Sequence, residues 1–452
     1  MNEQKQRRTA VIAGLQAGVI LVVSLAVILR VGVFSKGGEQ PKEENKETSQ
    51  DPKYMTETSE NDENESDMLA EQEFSKLSES NPESENSAEF STEALENSSD
   101  SEESEPDQTE LLLESMTVKE KVYQLFVVFP SQVTGVSPVT KTGDLTRQGL
   151  MEYPVGGLIY DKTNMVSREQ VTEMLTTVQT YSKIPLILTC DEEGGRVNRL
   201  MSTVGTTYID SMMSYRDLGT EKAAENAKVI AGDMVSCGFN TDLAPVADVW
   251  SNPDNKVIGD RAYSDDFAQA AVLVASAVEG FHAGGVACTL KHFPGHGDTS
   301  ADSHKGAVYV TKTLEELRSS ELLPFQAGID AGADMVMIGH LTVTDVADVP
   351  AVFSHQIVTG LLREEMGFDG VIITDSLQMK AVTDSCDSGQ AAVLAVQAGV
   401  DILLCPADLQ EAADALLDAV ATGVISEERL NESVMRILKL KEGRGILREG
   451  EG

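Results

Sequence analysis

Eight short apolar runs, set apart by stretches long enough for a helical return, govern what this chain can fold into between residues 109 and 452. They are Leu125–Phe129, Gly157–Tyr160, Pro185–Cys190, Phe239–Ala244, Val286–Leu290, Met335–Ile338, Val371–Thr374 and Asp401–Cys405. Each run is continuous rather than alternating, which suits a strand buried on both faces, as in a parallel sheet covered by helices. Parallel neighbours need a crossover rather than a tight turn, and the intervening segments are amphipathic and of helical length. Eight strand–helix units in about 340 residues point to a closed barrel rather than an open sheet. The expected fold is therefore α/β, a (β/α)8 TIM barrel over residues 109–452. It opens near a capping box at Thr117-Val118-Lys119-Glu120.

The first 108 residues are a different polymer. Thr9 to Leu29 is an uncharged run of 21 residues, which as a helix spans roughly 32 Å at about 1.5 Å per residue. Lys5, Arg7 and Arg8 precede it and keep residues 1–8 in the cytoplasm, so the remainder is sent outside. A cleaved signal peptide is the rival, which would make the protein secreted. Its apolar core is usually only about 7–15 residues long, and no A-x-A site follows the run. A single-pass signal anchor over 9–29 is the expectation.

Residues 30–108 are rich in Glu, Ser, Asn and Asp, with 24 acidic and 5 basic residues between Lys36 and Asp107. Such a segment cannot bury enough apolar surface to offset its ordering entropy, so a disordered acidic stalk is expected. The formal net charge of −39 repels phosphate backbones, which argues against nucleic-acid binding. Cys190, Cys237, Cys288, Cys386 and Cys405 contain no CxxC and are odd in number. They read as small apolar core residues, not as a disulfide framework or zinc knuckle.

Barrels of this type place their chemistry just past the C-terminal ends of the strands. Asp191-Glu192-Glu193-Gly194-Gly195-Arg196 follows the third run, Pro245-Val246-Ala247-Asp248 the fourth, and Lys291-His292-Phe293-Pro294-Gly295-His296-Gly297 the fifth. His340 follows the sixth run and Asp375 the seventh. The densest stretch, Lys291 to His304, holds three of the six histidines. It reads as solvated loop, as a metal site of His292, His296 and His304, or as an acid/base centre in which Asp302 orients His304. Pro294-Gly295 breaks the helix that HxxxH metal binding requires. A carboxylate against an imidazole fixes its tautomer and supports proton transfer.

KHFPGHG followed by DSH resembles the loop signature of glycoside hydrolase family 3, in its β-N-acetylglucosaminidase (β-N-acetylhexosaminidase) branch. The resemblance runs from MTVKEKVYQLF through DEEGGRVNR, Gly259-Asp260-Arg261-Ala262-Tyr263 and GFDGVIITDSLQMKA to about Arg444. It implies Asp375 as nucleophile, His304 as acid/base and Asp302 as its activating partner. It also implies that Asp191, Arg199, Arg261, Lys291 and His292 hold the sugar. Glu192 departs from the family, which commonly has Gln there.

These roles suit a retaining glycosidase, which needs a carboxylate nucleophile and a group that protonates the leaving oxygen and then activates water. Arg199, Arg261 and Lys291 are expected around Asp375, where they would keep it ionised. No metal or organic cofactor is implied, and a monomer is expected. The substrate class is a glycan ending in β-linked N-acetylglucosamine, with peptidoglycan fragments the natural candidate for an enzyme tethered outside the cell membrane. A phosphorylase and a β-glucosidase of the same family are rivals, as are a metallohydrolase and a non-enzymatic wall-binding module.

Overall fold

The computed structural model describes residues 107–299 and 306–447. The apolar run 9–29, the acidic stretch up to residue 106, and Asp302 and His304 lie outside the described residues. Among the described residues no helix is long and apolar enough to cross a membrane.

Among the described residues there are ten strands: β1 (Phe126–Val128), β2 (Gly157–Ile159), β3 (Ile187–Cys190), β4 (Thr241–Asp242), β5 (Thr289–Phe293), β6 (Val308–Val310), β7 (Met335–Ile338), β8 (Leu341–Val343), β9 (Val371–Thr374) and β10 (Leu403–Leu404). Pairing is parallel in the order β10, β1, β2, β3, β4 and again in β5, β7, β9. Parallel bridges Thr241–Ala287 and Ile373–Ile402 connect the two groups. Parallel pairing thus passes through all eight expected strands and returns to its start, a TIM-barrel-like α/β fold.

Every residue of these eight strands is buried, the condition their continuous apolar runs anticipate. Gly157 shows how tight the barrel wall is. A Cβ there would stand 2.5 Å from the Ile187 carbonyl oxygen and 3.1 Å from Val127 Cγ2.

The helical returns begin where short polar side chains can cap them. Ser167, Asp266, Asp387 and Asp408 each accept a backbone N–H in the first turn of the following helix, over Arg168–Gln179, Phe267–Gly284, Ser388–Ala398 and Leu409–Ala421. The capping box at Thr117 and Glu120 is present. One helix was not anticipated from the sequence: Gln108–Ser115, capped by Asp107, sits just before it.

The strand pair β6 and β8 was also unforeseen. Val308-Tyr309-Val310 alternates buried and exposed, a pattern too short to stand out from loop. Cys190, Cys237, Cys288 and Cys405 are buried free thiols, as expected, and Cys386 is half-buried.

Ion pairs stitch the last helix, Glu427–Gly443, to the barrel. Asp401, fully buried, accepts from Arg363 at 2.8 Å and from Ser433 Oγ at 2.6 Å, with Arg436 at 3.3 Å and Arg429 at 3.4 Å. Lys441 is fully buried too, and its Nζ donates to Gln124 Oε1 at 2.9 Å. Burial drives its pKa down to about 7.

The unfolded chain therefore binds a proton that the folded chain lacks between about pH 7 and the free-lysine value near 10.4. Stability contributed by this group rises with pH through that window. Lys441→Met is expected to remove that rise, measured as Tm against pH from 6 to 10. A variant with the wild-type slope would show that Lys441 stays charged in the fold.

Candidate active site

One chain of ion pairs joins four of the expected site residues across the mouths of β3 and β5. Lys291 lies in β5 and is 2% exposed. Its Nζ donates to Asp191 Oδ1 at 2.8 Å and approaches Glu193 Oε1 at 2.6 Å. Arg199 Nη2 donates to the other oxygen of Asp191 at 2.8 Å. Arg261 grips Glu193 in a fork, Nε to Oε2 and Nη2 to Oε1, both at 2.8 Å. Charges thus alternate from Arg199 through Asp191, Lys291 and Glu193 to Arg261.

Burial would raise the carboxyl pKa values of Asp191 and Glu193, but the neighbouring cations outweigh it and hold both below the ordinary range. Burial would lower the Lys291 pKa, and Asp191 with Glu193 reverses that. All these groups are held charged.

The backbone explains why these side chains converge. Asp191 immediately follows β3, and the next residue, Glu192, accepts backbone N–H bonds from Arg199, from Leu200 at 2.7 Å and from Met201 at 3.0 Å. It thereby fixes the start of the short helix Leu200–Thr203, and with it Arg199. Burial pushes the Glu192 carboxyl up, against the pull of those three donors. Beneath it Asp242, fully buried, accepts from Glu192 N at 3.0 Å, and burial holds its carboxyl well above the usual range.

Arg261 is placed by a loop that Arg196 braces, donating to the Val257 and Ile258 carbonyls at 2.7 and 2.9 Å. Asn255 ties that loop to the next one. Its Oδ1 accepts from Val257 and Ile258 N–H, while its Nδ2 donates to the His296 and Gly297 carbonyls. Gly297 must be glycine there, because a Cβ would lie 1.6 Å from the Val249 carbonyl oxygen.

His292 is held separately. Its Nδ1 lies 2.6 Å from Asp248 Oδ2, and its backbone N donates to the same oxygen at 3.1 Å. Asp248 Oδ1 accepts from His296 N at 2.6 Å. Asp248 is fully buried, which would raise its pKa, yet His292 and His296 bring it below the usual value. Burial pushes the His296 imidazole down, and its Nδ1 meets Thr299 Oγ1 at 2.7 Å.

Asp375 directly follows β9. Its backbone N donates to the Ile338 carbonyl at 3.0 Å, and Oδ1 accepts from Ser376 N at 2.7 Å. His340 Nε2 donates to the Ser376 carbonyl at 2.9 Å. Asp191 follows β3 and Asp375 follows β9, and because these strands run parallel around the barrel both acids stand at one end of it.

Arg199, Arg261 and Lys291 find their direct partners in Asp191 and Glu193. Among the described residues none of the three is hydrogen-bonded or ion-paired to Asp375, because Asp191 and Glu193 take them. Glu193 and Asp248 were visible in the sequence only as strand-end acids, without a role. The signal for Glu193 was its place between Asp191 and the glycine pair Gly194-Gly195, which turns the chain back on itself. Asp302 and His304 lie outside the described residues.

A family model described as the glycosyl hydrolase family 3 N terminal domain matches residues 117–440. This chain belongs to glycosyl hydrolase family 3. Beta-hexosaminidase A of Pseudoalteromonas piscicida is 34% identical over 322 residues, 65% of this chain and 54% of that protein. The chain therefore spans about half the length of that relative. A beta-hexosaminidase of Stenotrophomonas maltophilia (strain R551-3) is 36% identical over 268 residues, 57% of this chain and 78% of the relative. The solved family 3 beta-N-acetylglucosaminidase from Paenibacillus sp. str. FPU-7 is 37% identical with a TM-score of 0.70, covering 74% of this chain and 65% of that one.

Proposed function

We propose that this family 3 enzyme removes non-reducing terminal β-linked N-acetylglucosamine with net retention, through a covalent glycosyl-enzyme. The observation that carries the reading is the ladder Arg199–Asp191–Lys291–Glu193–Arg261, buried at Lys291 and Glu193 and half-buried at its other members, at the strand end of the barrel that also bears Asp375. An ammonium has three protons, and Asp191 and Glu193 engage two of those on Lys291, leaving one for a sugar hydroxyl. Hydrogen bonds from charged groups fix the orientation of a polyol strongly.

In this reading Asp375 attacks the anomeric carbon while His304, oriented by Asp302, protonates the departing oxygen. The same imidazole then takes a proton from the water that cleaves the ester, so each group returns to its starting state. Peptidoglycan fragments are the proposed natural substrate. The apolar run 9–29 would anchor the enzyme in the cell membrane facing outward, and the acidic segment after it would give a reach of about 45–50 Å. Fractionation tests that part: protein found soluble without detergent, and lacking its N-terminal peptide, would replace the anchor by a cleaved signal.

The activity test uses p-nitrophenyl β-glycosides of N-acetylglucosamine and glucose, each with and without phosphate. Free N-acetylglucosamine in both buffers, with the glucoside poorly cleaved, is the expected result. Sugar 1-phosphate appearing in phosphate buffer would make the enzyme a phosphorylase instead, and faster cleavage of the glucoside would make it a β-glucosidase.

A further inference from the structure

The His292 ring is anchored at one nitrogen only. Asp248, with no exposed surface, lies 2.6 Å from Nδ1, and no described residue pairs with Nε2. The side chain is a tenth exposed. The same carboxylate also collects the backbone N–H groups of His292 and His296, three donors in all. A carboxylate saturated in this way accepts and does not donate, so the nitrogen facing it must carry its proton. Whenever the ring is neutral, its proton therefore sits on Nδ1, facing Asp248, and the lone pair sits on Nε2, on the far side of the ring.

We propose that Asp248 is a positioning residue that sets the His292 tautomer, so that His292 receives a hydrogen bond from a sugar hydroxyl at Nε2. This deepens the proposed function and rests on its reading of His292 as a sugar contact. The division of labour is chemical. The Lys291, Arg199 and Arg261 groups can only donate, whereas a sugar hydroxyl is both donor and acceptor. Asp191 and Glu193 are the acceptors nearest those cations, and the cations already occupy them. An imidazole held with its lone pair away from Asp248 supplies an acceptor without adding a further negative charge to the site. His296 is drawn into the same arrangement through its backbone N–H, which sets the KHFPGHG loop and His292 from one point.

Asp248→Asn in the full-length enzyme is the test. An amide can keep one oxygen for the His296 N–H. Its NH2 group then confronts the ring nitrogen, which can accept only by moving the imidazole proton to Nε2. His292 would switch from acceptor to donor toward the sugar. With 15N-labelled histidine, the wild type is expected to show a low-field Nδ1 proton that the variant lacks. The expected kinetic change is a loss of about 10–100-fold in kcat/KM, carried mostly by KM, with an altered pH profile.

Wild-type KM in a folded variant would overturn the proposal, as would survival of the low-field proton. If the variant fails to fold, the wild-type spectrum decides alone: neutral His292 carrying its proton on Nε2 sinks the idea. A wild type inert toward the N-acetylglucosaminide would instead defeat the functional reading, and the spectrum would still decide the tautomer.

Discussion

Asp375→Asn is expected to lower kcat by about 10⁴-fold or more while leaving the fold intact. The reason is chemical: an amide oxygen is too poor a nucleophile to form the glycosyl ester on which the retaining route depends. Folding should survive because, among the described residues, the carboxyl is bonded by one backbone donor, Ser376 N at 2.7 Å, and an amide oxygen can accept that bond equally well. Asp375 lies half-buried at the end of β9, so the exchange leaves no unpaired buried charge. The check is turnover of the p-nitrophenyl N-acetylglucosaminide together with Tm. A variant that keeps a tenth of wild-type kcat would remove Asp375 from the nucleophile role. It would point instead to a route in which the substrate's own acetamido group attacks.

The barrel was readable because burial on both faces erases the polar alternation that would otherwise mark a strand. Runs such as Met335–Ile338 and Val371–Thr374 coincide with β7 and β9 to the residue. Strand length was overestimated: Phe239–Ala244 contributes only Thr241–Asp242 as a continuous strand, and beyond it Leu243, Ala244, Pro245 and Ala247 keep single backbone hydrogen bonds to the neighbouring strands, with one parallel bridge at Val246–Lys291. Periodicity could not reveal β6 and β8, which are three residues each, the first alternating and the second buried throughout.

The site was legible in its residue types and not in its pairing. Strand-end placement put Asp191, Lys291, His292 and Asp375 at one rim, yet linear sequence does not say which acid faces which base. Arg261 finds Glu193 across 68 positions, and His292 finds Asp248 across 44. Glu192 illustrates the same limit. It was read as a departure beside the site, whereas its three backbone bonds make it the device that seats Arg199.

The same pairing makes Lys291→Met the most damaging change expected outside Asp375. Lys291 is 2% exposed and stands between Asp191 and Glu193, the second of which is itself only 5% exposed. Removing one partner from a buried ion pair costs about 3–5 kcal/mol, because the remaining charge is stranded. Here two carboxylates would face each other across an apolar side chain, each keeping only its arginine. Against a total stability of about 5–15 kcal/mol, that loss should lower Tm visibly in any melting experiment.

The pH dependence has a definite sign. In the wild type both carboxyls titrate below their unfolded values, so their contribution is present above about pH 4 and disappears only as pH falls through the depressed folded values. Without Lys291 those folded values rise, and protonation relieves the variant in mild acid. The gap in Tm between wild type and variant should therefore be widest near pH 7 and narrow toward pH 4–5. Adding Glu193→Gln to the variant should restore part of the lost stability at pH 7.

Activity should fall by about 10–100-fold in kcat/KM through loss of the third ammonium proton alone, beyond any unfolding. A Lys291→Met enzyme that melts with the wild type would show that the two arginines suffice to neutralise the pair. If it melts early but keeps wild-type kcat/KM below its Tm, Lys291 is a structural cation and the sugar is held by Arg199 and Arg261 without it.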